Sequence, residues 1–169
     1  MRARILSGGL LAAILIISGT GCDKGDPVRP TITAAQATDR ARQIVQDAFA
    51  ALPAGAELKH TGPDLLPCDD PTDGGPPGRV FADLSYDVTY PAGWPADKAL
   101  DALKGHWSTR GYEVWTRVDD GELNQTTAED PDGFRVTVEI YTRAGGRLDL
   151  YITGSSPCVW EFGTPSAGQ

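Results

Sequence analysis

Apolar residues recur at helical spacing between residues 37 and 52. Ala37, Ala41, Ile44, Val45, Ala48, Phe49 and Leu52 fall on one face, while Asp39, Arg42, Gln43, Gln46 and Asp47 take the other. Thr33 and Gln36 stand in front with the spacing of a capping box, and Pro53 and Gly55 close the segment. A second helix is predicted from Pro95, which suits a first helical position. Ala96, Ala99, Leu100, Leu103 and Trp107 form its buried stripe, Gly105 weakens it, and Gly111 caps its end.

Four segments alternate instead. Over 79–90, Val80, Ala82, Leu84, Tyr86, Val88 and Tyr90 point one way, against Arg79, Asp83, Ser85, Asp87 and Thr89, with Phe81 out of phase. Tyr112–Val118 alternates up to the Asp119-Asp120-Gly121 turn. Phe134, Val136, Val138 and Ile140 oppose Arg135, Thr137, Glu139 and Tyr141. After a hairpin turn at Ala144-Gly145-Gly146, Leu148, Leu150 and Ile152 return on the same face. The polar stretch 119–133 reads as a loop with a short strand near Glu122–Gln125. Residues 54–78 are rich in breakers and read as a loop. Strands with one apolar face form an antiparallel sheet covered on that face. The expectation is an α+β two-layer sandwich in the order α-β-α-β-β-β, with about four strands and two helices on one face.

Length and charge narrow the class. The first 21 of 169 residues have the form of an export signal, which leaves Cys22–Gln169 as a single domain's worth of chain. Net charge is −8, and removal of Arg2 and Arg4 leaves 13 basic against 23 acidic residues. Nucleic-acid binding needs clustered Lys and Arg, so no nucleic-acid partner is expected. Docking on anionic lipid by charge is disfavoured for the same reason.

The signal has three parts: Met1-Arg2-Ala3-Arg4, an apolar run from Ile5 to Ser18, and the small residues Gly19-Thr20-Gly21 before Cys22. The run is short for a bilayer span of about 20 residues, which weighs against an uncleaved anchor. Small residues directly before a cysteine resemble the bacterial lipobox, although Gly19 stands where that pattern usually has Leu, Val or Ile. The resemblance implies that Cys22 is acylated, palmitate-type, and becomes the new N-terminus. Two acyl chains on one residue give stable anchoring, whereas one is marginal. Residues 22–32 then form the lipidated cysteine and tether, 33–162 the domain, and 163–169 a frayed tail.

With Cys22 lipidated, Cys68 and Cys158 remain as a pair in a compartment where thiols oxidise. The rival is a metal site, but there is no C-x-x-C, and His60 and His106 lack ligand spacing. A disulfide is expected. Closing a loop of this size is worth roughly 4–5 kcal/mol in the chain-entropy model. No cofactor or metal is expected.

Trp107-Ser108-Thr109-Arg110-Gly111-Tyr112, a late Ser156-Pro157-Cys158-Val159 and the lipobox together resemble small lipoproteins of actinobacterial cell envelopes. Arg outnumbers Lys eleven to four, as in a GC-rich genome. That family is largely uncharacterised. The resemblance implies a location at the outer face of the cell membrane and a fold, not an activity.

Candidate chemistry is sparse. His106 lies beside Trp107 and Ser108, and His60 lies near Asp64, but neither stands in a nucleophile motif such as G-x-S-x-G. Asp69/Asp70 and Asp119/Asp120 are adjacent acids in turns, where acids are solvated. Asp69, Asp73 and Gly74 fit part of a calcium loop, but Pro71 and Val80 occupy ligand positions. The less ordinary feature is a set of aromatic residues out of phase with the core: Phe81, Trp115, Tyr141 and Tyr151. On a polar sheet face they suit a platform for a ligand or partner, an envelope protein or a glycan. The competing readings are cross-strand pairing for stability, or cover by the 54–78 loop. The expected function is therefore a membrane-anchored, non-catalytic extracytoplasmic lipoprotein that binds a ligand or envelope partner. A small extracytoplasmic hydrolase is the alternative.

Overall fold

The computed structural model describes residues 32–68, 78–119 and 123–164. The expected signal, Cys22, most of the tether, the acidic loop at 69–77 and the last residues of the tail lie outside this set.

Helix α1 spans Ala34–Ala50 and has the expected capping box: Gln36 N–H donates to Thr33 Oγ1, and Thr33 N–H donates to Gln36 Oε1 at 2.9 Å. Its buried stripe is Ala34, Ala37, Ala41, Ile44, Val45 and Ala48. A 3₁₀ turn at Ala96–Lys98 leads into α2, Ala99–Ser108, which buries Ala99, Leu100, Leu103 and Trp107. Gly111 takes a positive φ of 75°, as the cap position requires.

The strands are β1 (Glu57–Thr61), β2 (Leu65–Pro67), β3 (Arg79–Thr89), β4 (Glu113–Asp119), β5 (Leu123–Glu129), β6 (Arg135–Thr142), β7 (Leu148–Ser155) and β8 (Val159–Trp160). They form one antiparallel sheet in the order β1-β3-β7-β6-β5-β4, with β2 and β8 also paired to β3. The expectation of about four strands is thus corrected to eight. Residues 54–67 contribute β1 and β2 rather than a loop alone, and β5 is a full strand. The eleven residues of β3 carry two short strands in tandem on each side: β1 then β2 on one, β7 then β8 on the other.

Helix α1 packs on β3, β7, β6 and β8, and α2 packs on β4. The core between the layers is built from Leu84, Leu103, Trp107, Val45, Val136, Val138 and Ile152. Close approach of α1 depends on Gly154 in β7. A Cβ there would lie 2.5 Å from Val45 Cγ2 and 2.7 Å from the Ala41 carbonyl oxygen. Cys68 and Cys158 form a disulfide with Cα atoms 6.1 Å apart, joining the ends of the two short strands that flank the start of β3. Among the described residues no helix is long and apolar enough to cross a membrane.

Candidate functional site

Both described helices occupy one face of the sheet, so among the described residues the other face carries the odd-numbered residues of β3 to β7 without a helix over them. Register arranges these residues in rows. One row reads Trp115, Thr127, Thr137, Thr153, Ser85 and Thr61, from β4 across to β1. Five hydroxyl residues therefore stand side by side with an indole at the end. Thr127 and Thr137 Oγ1 are 3.0 Å apart, Ser85 Oγ and Thr153 Oγ1 are 3.2 Å apart, and Thr61 Oγ1 donates to the Ser85 carbonyl at 3.2 Å. Short hydroxyl side chains keep this band free of long projecting groups, and cross-strand pairs of this kind contribute roughly 0.2–1 kcal/mol each.

The rows on either side are charged. Toward the hairpin end, Arg117, Gln125, Glu139, Tyr151, Asp87 and Lys59 are aligned. Toward the other end lie Glu113, Glu129, Arg135, Ser155 and Asp83. Gln125 Nε2 donates to Glu139 Oε1 at 2.8 Å, and Ser155 Oγ donates to Asp83 Oδ1 at 2.8 Å. The pairing holds side chains that would otherwise sample several rotamers.

Of the four out-of-phase aromatic residues, Tyr141 and Tyr151 meet. Their rings are edge to face with centroids 5.7 Å apart, a favourable geometry for the ring quadrupoles. The Arg143 guanidinium lies 5.0 Å from the Tyr141 centroid and also donates to Asp149 Oδ2 at 2.7 Å. That hydrogen bond holds the Asp149 carboxyl below its usual range. Burial of the Tyr141 ring, with the neighbouring Glu139 charge second, pushes its phenol up, so the group stays neutral. Trp115 shares the face but stands apart, about 17 Å from Tyr141 by strand spacing and rise. It is 43% exposed on the edge strand β4. Phe81 lies about 20 Å from Tyr151 by the same measure, at the disulfide end, paired in register with Leu66. The four rings are therefore distributed over the face as one pair and two outliers, not as a single cluster. Residues 57–61 and 65–67 extend the sheet edge beside β3 rather than crossing this face.

Trp160 and the hydroxyl row were not foreseen. Trp160 pairs with Arg79, which puts it with Phe81 at the disulfide end. No signal in the sequence aligns Thr127, Thr137 and Thr153 until the pairing register is known.

The histidines have settled roles. His106 Nδ1 lies 2.8 Å from Arg110 Nη1, and its Nε2 lies 3.1 Å from Asp47 Oδ2. A guanidinium can only donate, so Nδ1 accepts and the proton sits on Nε2, directed at Asp47. Both nitrogens are engaged, which leaves no free lone pair to activate a nucleophile. Beside this pair is a cleft of about 440 Å³, lined among others by Arg40, Asp47, Arg110, Tyr112 and Asp130. None of its lining residues is Ser, Thr or Cys. Burial raises the Tyr112 phenol, against its ionisation. Ser108, the nearest hydroxyl in sequence, donates back to the Gly105 carbonyl. His60 pairs with Asp64 at 2.9 Å and packs on Tyr86 with centroids 5.1 Å apart.

No protein-family model, curated protein or solved structure matches the chain.

Proposed function

We propose that the protein is an exported lipoprotein, held at the outer face of the cell membrane through acylated Cys22, whose domain is non-catalytic and binds an envelope protein or glycan. The open sheet face is its binding surface. The observation that carries this reading is the row Trp115-Thr127-Thr137-Thr153-Ser85-Thr61, a hydroxyl band, buried at Thr127, on the side of the sheet that no helix covers among the described residues. Such a band presents the partly exposed hydroxyls of Thr137, Thr153, Ser85 and Thr61 in one row, with Tyr151, Tyr141 and Trp115 supplying ring surface around it. The full engagement of both His106 nitrogens supports binding over the hydrolase alternative.

Two measurements test it. Mass spectrometry of the membrane fraction should find Cys22 as an acylated N-terminus, and a mature chain that retains Met1 or carries a free Cys22 overturns the anchor. Oxidative footprinting in intact cells, compared with purified protein, should show protection of Tyr141 and Tyr151. Protection confined to the helical side, or none at all, overturns the face.

A further inference from the structure

We propose that two copies of this chain associate by pairing strand β4 with β4 of the other copy, antiparallel and centred on Trp115. Strand β4 ends the sheet: it is paired with β5 on one side, and among the described residues nothing pairs with its other side. Its register with β5 runs residue for residue over all seven positions, with no bulge to twist the edge away. Nor does it carry Lys or Pro, the residues that commonly defend an edge. The opposite edge differs. Strand β1 has five residues, bears Lys59 and is followed by Gly62-Pro63.

Strand β4 also exposes apolar surface on both faces. Trp115 is 43% exposed on the open face and Val118 is 63% exposed on the other. The described large hydrophobic residues that are exposed number four, and β4 holds two of them.

Charge selects a second copy as the partner, and it selects the register. Glu113, Trp115 and Arg117 share the open face. A two-fold axis at Trp115 sets Trp115 against the partner's Trp115 and Glu113 against the partner's Arg117, twice over. Val114 then meets the partner's Thr116. Centring on Thr116 instead would oppose Glu113 with the partner's Asp119, and centring on Arg117 would oppose two guanidinium groups. Like charges directly opposite are destabilising. One strand pair makes an interface below the standard size, so association should depend on concentration. The open faces of the two copies would join into one continuous sheet surface.

The test uses the full chain in detergent, by light scattering over a range of concentrations, with thermal melts to verify folding. A reversible monomer–dimer equilibrium is expected. Arg117→Glu and Glu113→Arg should each raise the dissociation constant several-fold, and the double variant E113R/R117E should restore it. Register is read by mixing Val114→Cys and Thr116→Cys chains, which should form a linkage mapped to residues 114 and 116 that neither chain forms alone. A wild-type chain that stays monomeric at every concentration overturns the proposal. So does a dimer indifferent to the charge swaps, or a Thr116→Cys chain that links to itself. None of these results bears on protection of Tyr141 and Tyr151, so this inference and the binding reading fail separately.

Discussion

Gly154 illustrates how one residue fixes the distance between layers. Its missing side chain is what lets Val45 and the Ala41 carbonyl reach the sheet. Gly154→Ala should cost about 1–3 kcal/mol or more in urea unfolding, as overpacked sites do. Val45→Ala should recover only part, because the Ala41 oxygen is backbone and does not retreat. A wild-type midpoint for Gly154→Ala would contradict the packing. Tyr90 carries a second prediction at this scale. Its hydroxyl donates to the Leu148 carbonyl and its ring stacks on Trp94 at 4.7 Å. Burial, with the Asp149 charge second, raises its phenol above the ordinary value of 10.0. The folded state therefore holds this proton more tightly than the unfolded state does. Its contribution to stability is complete below the ordinary phenol value and is lost as pH rises through the raised one. The loss of stability on going alkaline should be smaller in Tyr90→Phe than in the wild type, and equal losses would contradict it.

Strands and helices differed in how much of themselves the sequence exposed to inspection. Both helices were legible because a full stripe of each is buried, from Ala37 to Leu52 and from Ala96 to Trp107. Strands β3, β6 and β7 were legible because most of their core-facing positions are Leu, Val or Ile. Strand β5 was not, since its core-facing positions are Asn124, Thr126 and Ala128. Thr126 is fully buried by bonding Thr116 Oγ1 at 3.1 Å rather than by being apolar. Strand β1 offers only Leu58 to the core, and β2 is three residues long. The outward phase of Tyr141, Tyr151 and Trp115 was legible from alternation. Their spacing and the hydroxyl row were not, because both arise from register between strands far apart in sequence.

The turn from β5 to β6 and the disulfide give predictions at the same scale. Asp130 Oδ1 accepts the amide protons of Asp132 and Phe134 at 2.9 Å each, and Oδ2 faces Arg40 Nη2 at 3.2 Å. Asp130→Ala should cost about 1–3 kcal/mol by leaving the buried Phe134 amide without this acceptor. Unfolding unchanged within error would contradict that role. Replacing Cys68 and Cys158 together by Ser should cost about 2–5 kcal/mol. Native-state hydrogen exchange should rise first in β2, β8 and the start of β3. Uniform acceleration throughout the sheet would show that the bridge does not act there.

The described residues make an asymmetric domain: two helices cover most of one side of the sheet, and the other side bears polar rows and rings. An acidic chain with so few basic clusters is suited to neutral or weakly basic partners, which agrees with a hydroxyl-rich surface and not with a polyanion. The proposed anchor at Cys22 would keep this domain close to the membrane, where the open face would meet envelope components. The most direct measurement places a photo-reactive side chain at Thr137, in the centre of the open face, and at Gln46 on the exposed side of α1 as control. After illumination of intact cells, the Thr137 chain should form a defined adduct that the Gln46 chain does not. Adducts from Gln46 alone, or equal and diffuse products from both positions, would contradict the open face as the binding surface.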